Sequence, residues 1–407
     1  MTTEATTPPV AELAAGSVLR DCLQWFAREK RWINERHLEL CRIPAPTFQE
    51  RPRAEWMAGQ FREAGWEARI DRAGNVLASC AARESPRLAM TAHLDTVLSP
   101  RTAEEITVAS DGKFRGPGVA DNGAGLAGLL AVAQAIQACG AAREFPGLLL
   151  VANVGEEGEG NLSGMRYLCR AAGLAGKVRA FLVLDGPGAE HITCRALVSR
   201  RFELAVTGPG GHSWSDYGVG NPVHALSRAV ALFAEHVAHW NGGGPRSSFN
   251  FGTMEGGASV NSIPTLARAK VDLRSESESR VEEMSALLTG SFERAVETEN
   301  DRARAGKVTA RVREIGFRPG GSLTEEAPIL TCLRAVDAHL GIRAQTDCAS
   351  TDANIPLSLG MQAVSIGAGG SGAGAHTASE WFHPDGRELG LKRVLLTLAS
   401  LLRHGSR

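Results

Sequence analysis

From Leu88 to Asp185 the chain alternates short apolar runs with stretches in which apolar residues return every three or four positions. RLAMTAHLDTV, GLLLVANVG and AFLVLDG are runs of the first kind, and each predicts a strand buried on both faces. Leu126–Cys139, rich in Ala and Leu, predicts the helix between the first two. Upstream, a helical stretch runs through Arg36, a loop with Pro44 and Pro46 spans Ile43–Glu50, and Arg51–Gly65 has the period of an amphipathic helix. ARIDRAGNVLASC predicts a strand and turn. Apolar strands that end in His, Asp or Glu predict an α/β sheet with its chemistry at the strand ends.

The rhythm changes near Val198. RRFELAVTG and ARAKVDLRS alternate with period two, and helices are predicted over Pro222–His239 and Glu278–Arg302. Residues 198–317 therefore predict a compact α+β unit inserted into the first domain, whose pattern resumes at Glu325. The expected organisation is a disordered Thr/Pro-rich tail over 1–17, a catalytic domain over 18–197 and 318–407, and the insertion between them. Two domains suit a chain of 407 residues.

Composition narrows the function by exclusion. With 44 basic and 45 acidic residues, the chain has no charge excess to hold nucleic acid or an anionic membrane. No apolar run is long enough to span a bilayer, and MTTEATTPPVAELAAGS lacks the basic and apolar regions of a signal peptide. The eight cysteines are scattered without a CxxC pair, which predicts reduced thiols and a cytoplasmic protein.

Five segments place metal-competent side chains just after apolar strands. In His93-Leu94-Asp95-Thr96, His93 can bind a metal and Asp95 can orient its imidazole. In Gly118-Val119-Ala120-Asp121-Asn122-Gly123, the glycines let the backbone approach a ligand and Asp121 can bridge two cations. Glu156 and Glu157 are adjacent in Gly155-Glu156-Glu157-Gly158, so in an extended segment one can ligate metal while the other works on water. Asp185, in Leu184-Asp185-Gly186, and His376, in Gly374-Ala375-His376-Thr377, complete the set. Each segment alone is weak, because a lone HxD, a Glu pair or an Asp-Gly is usually a turn or a solvated charge. Their joint occurrence at predicted strand ends is what carries weight.

Together HLDT, G-x-A-D-N-G, GEEG, LDG and the late AHT-x-x-E resemble the M20 family of metallopeptidases and amidohydrolases (M20/M25/M40), in its peptidase T-like group. The resemblance runs from about Ile43 to the C-terminal helix. It enters the insertion through Gly211-His212-Ser213, Asn261-Ser262-Ile263-Pro264 and Asp272-Leu273-Arg274. It implies a zinc-peptidase-like catalytic domain, a mixed sheet flanked by helices, with an inserted α+β lid or dimerisation domain. It further implies that Asp121 bridges two divalent metals, that His93 and Asp185 complete one site, and that Glu157 and His376 complete the other. Glu156 would be general base and acid, His212 would polarise the scissile carbonyl, and Arg274 and Asn261 would grip a substrate carboxylate or backbone. Zinc suits the mixed ligands, and manganese or cobalt would also fit.

The activity so implied is hydrolysis of short peptides, as an aminopeptidase or di/tripeptidase. The alternatives are an N-acyl amino acid amidohydrolase, a carboxypeptidase, or a hydrolase of another C–N bond. A non-catalytic binding protein would be expected to have lost a ligand or Glu156, and none is missing. The family also implies a homodimer through the insertion, with the Gly-His-Ser histidine reaching the partner's metals. The run GAGGSGAGAH lacks the Lys-Ser/Thr of a phosphate loop and is expected to be pliable backbone. Asp352 could hold a substrate amino group or close a structural turn. Trp214 and Tyr217 could line a cleft or pack the insertion.

Overall fold

The computed structural model describes residues 9–80, 88–171, 177–238 and 244–404. The chain divides into two compact units, 1–196 with 321–407, and 197–320.

The first unit is built on a mixed sheet. Its strand order is Glu67–Ile70, Val76–Ser79, Leu148–Asn153, Leu88–His93, Ala180–Leu184, Gln362–Ile366, His191–Ala196 and Gly321–Ser322, with Gln345–Ala349 also pairing His191–Ala196. The four strands from Leu148–Asn153 to Gln362–Ile366 are parallel neighbours, and antiparallel strands flank them.

Period two explains why the central strands carry no charge. Along Leu88–His93, Leu88, Met90 and Ala92 enter one core while Ala89 enters the other. Leu148, Leu150 and Ala152 face the first core, and Leu149 and Val151 the second. Ala180–Leu184 divides the same way, so both faces are apolar and helices cover both. The helix Gly123–Ala138 shows the same logic, with Leu126, Leu129, Leu130 and Ile136 fully buried.

The predicted helix ends move by a few residues. The first long helical stretch divides into Ser17–Arg28 and Lys30–Cys41, past the expected end at Arg36. The expected tail is corrected over part of its length. Val10–Ala15 is helical because VAELAA sets Val10 and Leu13 one turn apart, and both are buried. Residues 1–8 lie outside the described residues, as does the predicted helix end at His239.

The second unit is a four-stranded antiparallel sheet in the order Ser247–Gly256, Leu266–Ser275, Val198–Thr207, Thr309–Arg318. The helices Pro222–Ala238 and Glu278–Arg302 share its core with Leu204, Val206, Ala269 and Val271. One face of the sheet is thereby buried, which is why these strands alternate where those of the first unit do not.

Candidate metal centre

The five expected metal ligands all belong to the first unit, and the fold brings them together. His93 ends its strand with 1 % of its surface exposed. Its Nδ1 lies 3.0 Å from the carbonyl oxygen of Asp95, a contact in which Nδ1–H donates and which turns Nε2 towards the carboxylates. Nε2 lies 3.1 Å from Asp121 Oδ1 and 3.8 Å from Asp185 Oδ1. His376 approaches the other oxygen: its Nε2 is 3.0 Å from Asp121 Oδ2 and 2.9 Å from Glu157 Oε1. Ligand atoms of His93, Asp121 and Glu157 lie within 4.8 Å of one another.

Such a cluster has the electrostatics of a cation site. Burial opposes a charge on His93, but hydrogen bonds with Asp121, Asp185 and Asp95 hold its pKa well above the ordinary histidine value. Asp121 and Glu157 push His376 up to about 10. Burial would raise Asp121, yet the two histidines keep its carboxyl below the usual range. Protons bound between these groups occupy the place a divalent cation would take.

The supporting residues explain why the segments converge. Asp95 orients more than an imidazole. Its Oδ1 accepts the Glu156 N–H at 3.0 Å, and its Oδ2 accepts the Glu157 N–H at 2.9 Å and the Thr47 hydroxyl at 2.9 Å. The carboxylate pair is thus pinned by its backbone, with Glu156 and Glu157 buried. Arg53 donates to the carbonyls of Leu94 and Ile43, holding the turn from behind.

Asn122 ties the Asp121 loop to the Asp185 segment. Its side-chain oxygen accepts from Gly125 and Gly186, both at 3.0 Å, and its nitrogen donates to the Leu184 carbonyl at 2.8 Å. It also caps the helix Gly123–Ala138. A Cβ at Gly125 would sit 2.1 Å from Asn122 Oδ1 and 2.7 Å from the Leu184 carbonyl, so glycine is required there.

Two groups without an expected role also hold this loop. Glu380, 3 % exposed, accepts N–H bonds from Gly118 at 2.8 Å, Ala120 at 2.7 Å and Asp121 at 2.8 Å. Fully buried His37 contacts the Val119 carbonyl at 2.8 Å through Nε2 and receives Arg387 Nη2 on Nδ1 at 2.6 Å. Glu380 lies four residues beyond His376 in the AHT-x-x-E segment, and that spacing was its one visible signal. His37 had none.

The remaining candidates fall elsewhere. Asp352 is completely buried and accepts from Asn153 Nδ2 at 2.6 Å, with burial raising its carboxyl to about 7. It is thus a buried partner of Asn153. His212, Asn261 and Arg274 belong to the second unit. His212 and Asn261 are exposed, and the short strands Gly211–His212 and Ser262–Ile263 pair beside each other. Trp214 and Tyr217 are 86 % and 79 % exposed, so they do not pack the insertion. Arg274 donates its Nε to Asp272 Oδ2 at 2.7 Å.

A family model, Peptidase family M20/M25/M40, matches residues 89–401, a span that includes every ligand candidate. The chain belongs to that family. As an M20/M25/M40 member it is a metal-dependent hydrolase, and its site residues suit that chemistry. No curated protein sequence matches the chain.

Solved structures share the fold at low identity. A tripeptidase from Staphylococcus aureus subsp. aureus Mu50 is 20% identical with a TM-score of 0.70, covering 91% of this chain and 98% of its own. Aminopeptidase PepT from Bacillus cereus is 19% identical with a TM-score of 0.67, covering 92% and 99%. A hydantoinase/carbamoylase family amidase from Burkholderia vietnamiensis is 18% identical with a TM-score of 0.68, covering 91% and 96%.

Proposed function

We propose that this M20 hydrolase cleaves short peptides as an aminopeptidase or di/tripeptidase, using two divalent metals and Glu156 as general base and acid. One observation carries the two-metal part: the two oxygens of Asp121 lie against different histidines, His93 and His376. Asp185 stands on the His93 side and Glu157 on the His376 side. Zinc is the expected ion, with manganese or cobalt as alternatives. When bound, such ions polarise an amide carbonyl and acidify water.

The chain's own residues do the rest. Glu156 takes the attacking water's proton and passes it to the leaving nitrogen. Asp95 keeps that carboxylate in register through the backbone N–H of both glutamates. His212 Nδ1 faces the N–H groups of Trp214 at 3.2 Å and Ser215 at 3.3 Å, so the ring proton sits on Nε2, ready to donate to a developing oxyanion. Arg274 and Asn261 hold the substrate's carboxylate or backbone.

A substrate panel tests this reading: free di- and tripeptides, N-acetyl amino acids and N-carbamoyl amino acids with the metal-loaded enzyme. Turnover that requires a free amino terminus supports it. Turnover confined to N-acyl or N-carbamoyl compounds would move the chain to the amidohydrolase reading, which its likeness to the Burkholderia amidase supports.

The same proposal includes a homodimer through the insertion, with His212 serving the partner's site. His212→Ala and Glu156→Gln proteins, mixed in equal amounts with subunit exchange, should then regain activity in about a quarter of all sites. No recovery despite demonstrated exchange would reject the shared site. No helix among the described residues is long and apolar enough to cross a membrane.

A further inference from the structure

The helix Ser17–Arg28 turns Leu19, Cys22, Trp25 and Phe26 into the core, and Cys22 has no exposed surface. That face meets the last turn of the helix Gly123–Ala138. Cys22 Sγ donates to the Ala135 carbonyl oxygen at 3.6 Å, across 113 positions of sequence. The Cys139 N–H donates to the same oxygen at 3.1 Å. Sharing one acceptor sets the two cysteines side by side, and their thiols are in hydrogen-bond contact. Both are free cysteines, so the resting form is the dithiol.

The two thiols differ in what can reach them. Cys139 is half-buried and stands one residue beyond the last helical turn, as its C-cap. Gly140 follows with a φ of 63°, and a Cβ there would meet nothing within 4 Å. A disulfide needs its sulfurs about 2.0 Å apart, and a helix cap beside an unhindered glycine can yield that approach where mid-helix Cys22 cannot. Burial, helped by the neighbouring Cys139, pushes the Cys22 thiol well up, so it stays protonated. The thiolate is the form that reacts with peroxides, so attack begins at Cys139. Cys41 shows the contrast: it also donates to a carbonyl, that of Gly118 at 3.5 Å, but it has no exposed surface through which an oxidant could enter.

We propose that Cys22 and Cys139 form a reversible modification site, in which a hydroperoxide oxidises Cys139 and Cys22 resolves the product as a disulfide. With hydrogen peroxide, the Cys139 sulfur attacks the O–O bond, becomes a sulfenic acid and releases one water. The Cys22 sulfur then attacks the sulfenic sulfur, the S–O bond breaks, and the hydroxyl leaves as a second water with the Cys22 proton. The two thiols lose two electrons and the peroxide gains them. The site is distinct from the metal centre. It lies at the opposite end of Gly123–Ala138 from Asn122, about 24 Å along a helix of 16 residues.

Mass spectrometry of the full-length wild-type enzyme tests the proposal and needs no variant to fold. After hydrogen peroxide and alkylation of the remaining thiols, a non-reduced digest should contain Cys22 linked to Cys139. Treatment with dithiothreitol before alkylation should abolish the crosslink and return both thiols. In Cys22→Ser, Cys139 should accumulate as the sulfenic acid, which a 1,3-diketone traps. In Cys139→Ser, Cys22 should remain a free thiol at the same peroxide dose. Cys80 is the competing partner, because its sulfur accepts from Gln137 Nε2 at 3.8 Å, two residues before Cys139. Cys80→Ser should therefore leave the yield of the Cys22–Cys139 crosslink unchanged. A link from Cys139 to Cys80 in place of Cys22 would overturn the proposal. So would sulfinic acid at Cys139 with Cys22 still alkylated, or peroxide-treated protein in which both thiols are alkylated in full.

Discussion

The Asp121 loop and the His212 segment carry groups proposed for one reaction, yet the chain treats them in opposite ways. Around Asp121 nearly every backbone group is claimed: Glu380 takes three N–H groups, His37 meets the Val119 carbonyl, and Asn122 joins the loop to Leu184. His93, Asp95, Glu156 and Glu157 are all buried. Around His212 the side chains point to solvent, and Val260 is 101% exposed beside Asn261. A metal site must be rigid before the ion arrives, because ligands that adapt lose affinity to ordering entropy. A group that meets substrate or a second chain only at the moment of reaction needs less support from its own chain. The contrast predicts that removing a metal ligand in the first region removes metal and chemistry together, and that damage in the second removes rate or selectivity alone.

Asp121→Ala should have the largest effect. Both histidines lose their shared acceptor, so activity should fall to background and metal content should drop at both positions, as measured by metal analysis after dialysis. Retention of a full metal complement would break the comparison at its strongest point. Removing metal from the wild type with a chelator should give the same inactive state, with recovery on adding Zn²⁺, Mn²⁺ or Co²⁺.

Glu156→Gln comes next and separates binding from chemistry inside the buried region. The amide keeps the shape but cannot accept the water's proton, so kcat should fall by about 10²–10⁴. Metal content should stay near wild type. If Glu156→Gln loses metal and Glu157→Gln keeps it, the roles of the adjacent pair are reversed.

The side chains that gather around Asp121 were readable from the chain because their types are rare at the ends of apolar strands, and five such ends in order are hard to produce by accident. The helical and strand segments were readable from periodicity, to within a few residues at most ends. The supporting layer was not. Glu380 acts on backbone N–H groups about 260 positions earlier, and no local pattern marks a carboxylate for that task. Arg387 and His37 are 350 positions apart, and their contact follows from helix packing rather than from any motif. The helix Val10–Ala15 escaped because a six-residue segment after a Thr/Pro-rich start has almost no period to read. His212, Asn261 and Arg274 were visible only through the family resemblance, since exposed side chains leave little trace in hydrophobic patterning.

Glu380→Gln probes that hidden layer. Glutamine keeps one acceptor oxygen but replaces the other with an amide nitrogen, so one side of the bonding to Gly118 or to Ala120 and Asp121 is lost. Metal affinity should weaken by about 10–100-fold, the range for partners that orient a ligand without touching the ion. Activity at saturating metal should recover most of its wild-type value. A permanent loss of kcat at saturating metal would mean that the loop's position governs chemistry as well as metal retention.

Arg274→Lys should have the smallest effect, and it sharpens the comparison from the exposed side. The Arg274 side chain is 38% exposed and anchored by one bond to Asp272, whose other oxygen lies 3.4 Å from Arg201 Nε. Lysine keeps the charge, and Arg201 still accompanies Asp272, so stability should change by less than about 1 kcal/mol. What lysine cannot copy is a planar fork that grips a carboxylate through two parallel hydrogen bonds. KM for peptides with a free terminal carboxylate should therefore rise about 10-fold, the equivalent of one charge-assisted bond, while metal content stays unchanged. Peptide amides, which offer no carboxylate, should be affected much less, so the ratio of kcat/KM between acid and amide is the decisive quantity. Equal losses on both would make Arg274 a strand residue that serves only to hold Asp272, and the role of gripping substrate would have to pass to another side chain.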